Sequence, residues 1–160
     1  MQAPDILQTI AEVAVSLLGF TGVVAVLGHR GSGHWSPAEI LQLRTLVEPS
    51  LIVLFGSLLP GILQLAFDSD TLVWRLSAGA LALLGILGGL AFLGRARTAF
   101  TTWGQRVLLF LTALGAFALL LAAFGVLAAS ELLFVLGLVL GLVVAVYNFL
   151  LLLLPVVRGA

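Results

Sequence analysis

Long apolar runs separated by short polar breaks set the pattern of this chain. A helix needs about 20 predominantly apolar residues to cross a hydrocarbon core roughly 30 Å thick. Five runs reach that length: Ile6–Leu27, about Thr45–Phe67, Leu72–Leu93, Val107–Leu127 and Leu132–Pro155. Asp68-Ser69-Asp70 separates the second run from the third, and only Ala128-Ala129-Ser130-Glu131 separates the fourth from the fifth. The stretch from Val107 to Pro155 is about twice one bilayer crossing at ~1.5 Å per residue, so a helical hairpin is expected there rather than one long bent helix. The pattern predicts an all-α protein, an integral membrane helical bundle with five transmembrane helices. It forms a single transmembrane domain over residues 1–160, with no soluble domain.

The first run is interrupted in a regular way. Asp5, Gln8, Glu12, Ser16 and Gly19 follow one another at spacings of three and four, which places a polar stripe along one side of a helix. A carboxylate at the centre of a spanning helix costs roughly 2.5–3.5 kcal/mol on insertion scales, so Glu12 requires something wet or basic to receive it. One arrangement is a buried ion pair with Arg75, near the start of the third run, with Gln64 at the end of the second completing the hydrogen bonds. Asp68 and Asp70 compete for the same arginine. The other is a water-filled path: if several copies assemble with the first helix innermost, Glu12 forms a carboxylate ring that favours cations. Ser16 and Gly19 then leave room deeper in, and the apolar stretch Gly19–Leu27 beyond the ring can close by dewetting.

The second helix has the clearest local start signal. Ser36-Pro37-Ala38-Glu39 reads as a capping box, with Ser36 as N-cap, Pro37 in the first helical position and Glu39 reaching back. An extended second helix is therefore expected from near Pro37, with Ile40, Leu43 and Val47 on one side, kinked at Pro49 and Pro60. On it, Arg44 and Glu48 stand four apart, the spacing of a local ion pair. Tyr147 and Asn148 of the fifth helix lie at similar depth, and Asn148 is expected to bond across to another helix.

Composition strengthens the membrane reading. Hydrophobic residues make up 62% of the chain and charged residues 9%, with a mean hydropathy of +1.27, whereas an ordinary soluble domain carries about 25% charged residues. In composition, though in no motif, the chain resembles small bacterial multi-pass membrane proteins, which implies a plasma (inner) membrane location. Of the arginines, only Arg75 falls on the side of the N-terminus; Arg30, Arg44, Arg95, Arg97, Arg106 and Arg158 fall on the other. The positive-inside bias therefore puts the N-terminus outside and the C-terminus in the cytoplasm. Arg95, Arg97 and Arg106 are expected to serve topology and to meet anionic headgroups. The N-terminus lacks the basic flank of a signal peptide, so the first helix is expected to be retained. Trp35, Trp74 and Trp103 fall at span ends, as interfacial anchors do. Gly85–Gly89 and Gly137–Gly141 have G-x-x-x-G spacing, suited to helix contacts between subunits or within one.

Other chemistry is sparse. The chain has no cysteine and a formal net charge of zero, which gives no thiolate site and no electrostatic case for nucleic acid. His29 and His34, around Gly31-Ser32-Gly33, are too few to argue for a metal, and no cofactor is indicated. No H-E-x-x-H, G-x-S-x-G or phosphate-binding loop occurs, so the expectation is a protein without catalytic residues. The expected partners are the lipid bilayer, further copies of the chain as a homo-oligomer, and a cation. The function these residues favour is an oligomeric ion channel or pore lined by the first helix. Its rivals are a structural or accessory subunit of another membrane protein, and a proton- or cation-coupled carrier using Glu12.

Overall fold

In the computed structural model, residues 3–32, 37–96 and 103–158 are described, with side chains over 4–23, 40–95 and 103–153. The chain forms five α-helices and, among the described residues, no strands: α1 Ala3–Ser32, α2 Pro37–Gln64, α3 Asp70–Ala96, α4 Trp103–Ala123 and α5 Ser130–Arg158. All five are long and apolar enough to cross a membrane. Their surface agrees with that setting, since Phe55, Ile62, Phe110 and Phe117 are all more than half exposed. At most 33% of any span's most apolar stretch is buried inside the bundle, which leaves the outer faces for acyl chains.

Helix α5 is the centre of the arrangement. It packs against each of the other four, while among the described residues α1 otherwise packs on α2 and α4 on α3. The core is built where small residues let helices come close: Ala14, Ala78, Ala82 and Ala122 are fully buried beside Val53, Phe134 and Leu138. Gly141 of α5 packs on Val53 of α2, and Gly137 packs between Leu119 and Leu81. Gly85 and Gly89 of α3 face Ala116 and Leu109 of α4. Both G-x-x-x-G motifs are thus used within one protomer.

The helices begin and end close to the runs that specify them. α2 starts at Pro37 and stays one helix through Pro49 and Pro60, each of which removes the donor for the carbonyl four residues earlier, Thr45 and Gly56. Ser36 and Trp35 lie outside the described residues, as do the side chains of Glu39, His29, Arg30, Arg97 and Arg158, and with them the capping box and the histidine loop. α4 stops at Ala123, short of the expected Leu127, because Gly125 adopts φ +78°. The Val126 amide bonds to the Leu121 carbonyl at 2.9 Å and the Gly125 amide to the Ala122 carbonyl at 3.0 Å. This is the double bond of a Schellman cap, where glycine avoids the Cβ penalty of left-handed backbone. The fourth and fifth runs are therefore a hairpin, and Gly125 was the signal in the sequence that fixes where the fourth stops.

Candidate functional site

The polar stripe of α1 faces a groove. Its walls are α1 (Pro4 to Ser16), the last turns of α2 (Ser57 to Gln64) and Trp74 at the start of α3, around a volume of about 710 Å³. Gln8, Glu12 and Ser16 line it together with Gln64 and Ser57. Asp5 and Gly19 lie on the same exposed side of α1 but outside the groove walls. The structure thus joins Gln64 to the Glu12 stripe, as the depth of the two residues suggested.

Glu12 is exposed and accepts a hydrogen bond from Gln8 Nε2 at 3.0 Å, one turn earlier on the same helix. Arg75 does not reach it. The guanidinium instead lies over Gly125, with Nη2 2.5 Å and Cζ 2.8 Å from where a Cβ would stand there. That is the C-terminal end of α4, where the carbonyl ends of the helix carry partial negative charge and favour a cation. The expected Glu12–Arg75 pair is therefore absent, because the arginine lies at the end of α4 instead. Among the described residues no basic side chain lines the groove.

The remaining polar groups of the groove include both acceptors and donors. Ser16 Oγ donates to the Glu12 carbonyl at 2.9 Å, and Ser57 Oγ to the Val53 carbonyl at 2.7 Å. Hydroxyls in apolar helices satisfy their proton this way, and their oxygens keep acceptor capacity. Gln8 has committed one N–H to Glu12 and keeps its amide oxygen and a second N–H, and Gln64 and Trp74 add further N–H donors. Glu12 contributes a full negative charge when ionised. The surface as a whole attracts positive charge.

The second cluster lies at the opposite end of the bundle and differs from the expectation. Glu48 pairs with Arg95 of α3, Nη1 lying 2.8 Å from Oε1 and 2.7 Å from Oε2. Arg44, on the same helix, does not join it. Helix α3 runs antiparallel to α2, so its last turn brings Arg95 level with Glu48, whereas the i, i+4 order of Arg44 before Glu48 is the weaker one. The two side chains are 35% and 40% exposed, so the pair contributes on the order of 1 kcal/mol or less. The sequence points Arg95 only to headgroups and topology, whereas in the fold it is the partner of Glu48.

Asn148 bonds across to α4, as expected. Its Oδ1 accepts from Gln105 Nε2 at 2.8 Å and its Nδ2 donates to the Val144 carbonyl at 2.8 Å, with both residues buried. Gln105 was missed by sequence reasoning; an amide in the first turn of an apolar helix, beside Arg106, was the available signal. Tyr147 packs its hydroxyl over Gly104, where any side chain would collide with it. Together with the Glu48–Arg95 pair, Gln105 and Asn148 border a narrow crevice of about 140 Å³ between α2, α3, α4 and α5. Its walls are mostly apolar and rich in glycine. Among the described residues no group of three or more metal-ligating side chains occurs.

No family model, no curated protein and no solved structure matches this chain. The site must be read from its own chemistry.

Proposed function

We propose that this multi-pass membrane protein passes a cation or small cationic solute through a homo-oligomer lined by α1. Asp5, Gln8, Glu12, Ser16 and Gly19 form the pathway, with Gln64 beside it. The observation that supports this reading most is that Glu12, a carboxylate on a spanning helix, lines a groove in which no basic side chain occurs among the described residues. A residue retained only for packing is expected to have a cationic partner, since an uncompensated charge in an apolar setting is costly. Copies arranged with α1 innermost would set several Glu12 carboxylates around one axis and share the cost of their hydration with the lumen. In this reading residues 1–160 form one membrane domain in the plasma membrane, N-terminus outside and C-terminus cytoplasmic, with α2 bending at Pro49 and Pro60. The protein has no catalytic role.

Potassium flux from liposomes tests the reading. Glu12→Gln should reduce flux, because a ring of fixed charge that concentrates cations is lost, with oligomeric state unchanged. Normal conduction by the variant removes α1 as the pathway. A clean monomer in detergent removes the central pore, and would favour an accessory subunit whose groove seats a helix of another membrane protein. The small residues Ala11, Ser16, Ser57 and Gly61 along the groove suit that alternative.

A further inference from the structure

The groove combines features that a pore wall alone does not need. Trp74 closes one end of it, half-buried and held edge-on against Phe134 at a centroid distance of 5.8 Å. Leu7, Val15, Leu58 and Pro60 supply apolar walls to the same space. The volume of about 710 Å³ falls within the range of small-molecule sites, about 300–1,000 Å³.

The charge pattern narrows the ligand. Among the described residues the groove holds one carboxylate and no basic side chain, a charge that a single positive charge would balance. A small divalent ion is a poor fit, because calcium takes about six to eight oxygen ligands and magnesium an octahedral shell. A strongly hydrated cation would also leave the apolar walls facing its water. A weakly hydrated cation carrying apolar arms meets all the surfaces at once: Glu12 for its charge, Trp74 for its cationic edge, and Leu7, Val15 and Leu58 for its arms.

We propose that the groove between α1 and α2 is a binding site for a hydrophobic organic cation, a quaternary onium ion or an amine protonated at neutral pH. The site is complete within one protomer. It shares Glu12 with the proposed pathway but does not depend on oligomerisation or conduction.

The test is equilibrium binding of tetraphenylphosphonium to the purified full-length protein in a non-ionic detergent, with empty micelles subtracted. Saturable binding of one ion per protomer is expected. Triphenylphosphine oxide, neutral and similar in its arms, should fail to displace the ion at equal concentration. Glu12→Gln should lower affinity about tenfold or more, while Glu131→Gln, outside the groove, leaves it unchanged. Trp74→Leu should lower affinity about two- to tenfold, and Trp74→Phe less. Binding no greater than to empty micelles, equal displacement by the neutral compound, or wild-type affinity in Glu12→Gln would each overturn the site. The comparison of charged and neutral ligands uses the unaltered protein, so it decides the matter even if a variant fails to fold. Binding that depends on Glu12 without potassium flux upholds the site and removes the pore. Flux that depends on Glu12 without phosphonium binding does the reverse.

Discussion

Replacing Gly141 with alanine tests the packing of the bundle where α5 meets α2. A Cβ at Gly141 would lie 2.6 Å from Val53 Cγ2, against the ~3.5–4.0 Å of a relaxed carbon–carbon contact. About 1 Å of separation must therefore be found. Val53 cannot supply it by rotating, because it is 1% exposed and a β-branched side chain on a helix holds one rotamer. The helices α2 and α5 must move apart or strain, and overpacking of this kind costs about 1–3 kcal/mol. Alanine returns up to ~1 kcal/mol through helix propensity, so the net loss for Gly141→Ala is expected at ~1–2 kcal/mol. That is about a tenfold shift in the unfolding equilibrium. Gly19→Ala and Gly22→Ala, where nothing lies within 4 Å of the new Cβ, should be neutral or slightly stabilising. Reversible unfolding in mixed detergent, followed by circular dichroism, measures all three. The decisive variant is Gly141→Ala combined with Val53→Ala, which removes the colliding methyl and should cost less than the sum of the two single changes. Full stability of Gly141→Ala, or strict additivity in the double variant, would refute the close α2–α5 contact.

Two further outcomes follow from the polar and backbone features of the bundle. Asn148→Leu should destabilise the protein by about 1 kcal/mol, because it removes a buried hydrogen bond between α4 and α5. The coupling between the two positions, read from the double variant with Gln105→Leu, should be ~0.6 and at most ~1.7 kcal/mol; zero coupling would mean that the bond contributes nothing. Gly125→Ala should cost about 1–2 kcal/mol through its positive φ, with an added cost from displacing the Arg75 guanidinium. Faster protease cleavage between α4 and α5 is the expected readout, and an unchanged cleavage rate would contradict the cap.

The fold and one wall of the site were open to reading from local pattern. Apolar length marks a span without reference to any neighbour, so α1, α3 and α5 fall where their runs predict, each extended by a few residues beyond the apolar core. The expected ends of α2 and α4 run past the observed ones: α2 stops at Gln64 rather than Phe67, and α4 at Ala123 rather than Leu127, where Gly125 is a local signal that the hydrophobic run obscured. The Glu12 stripe was equally local, because three- and four-residue spacings fix one side of a helix whatever surrounds it. The opposite wall of the groove, Ser57, Pro60, Gly61 and Trp74, carried no such mark.

The number of helices, their approximate ends and the side of α1 that carries Glu12 were therefore determined by sequence, since each depends on residues within a few turns of one another. Which residue answers which was decided by tertiary structure: Arg95 rather than Arg44 for Glu48, the end of α4 rather than Glu12 for Arg75, and Gln105 for Asn148. The physical reason lies in the solvent. A soluble helix is oriented by the water its apolar face avoids, but lipid is as apolar as a leucine side chain, so rotation about each axis is set by the fit of small residues against partners far away in the chain.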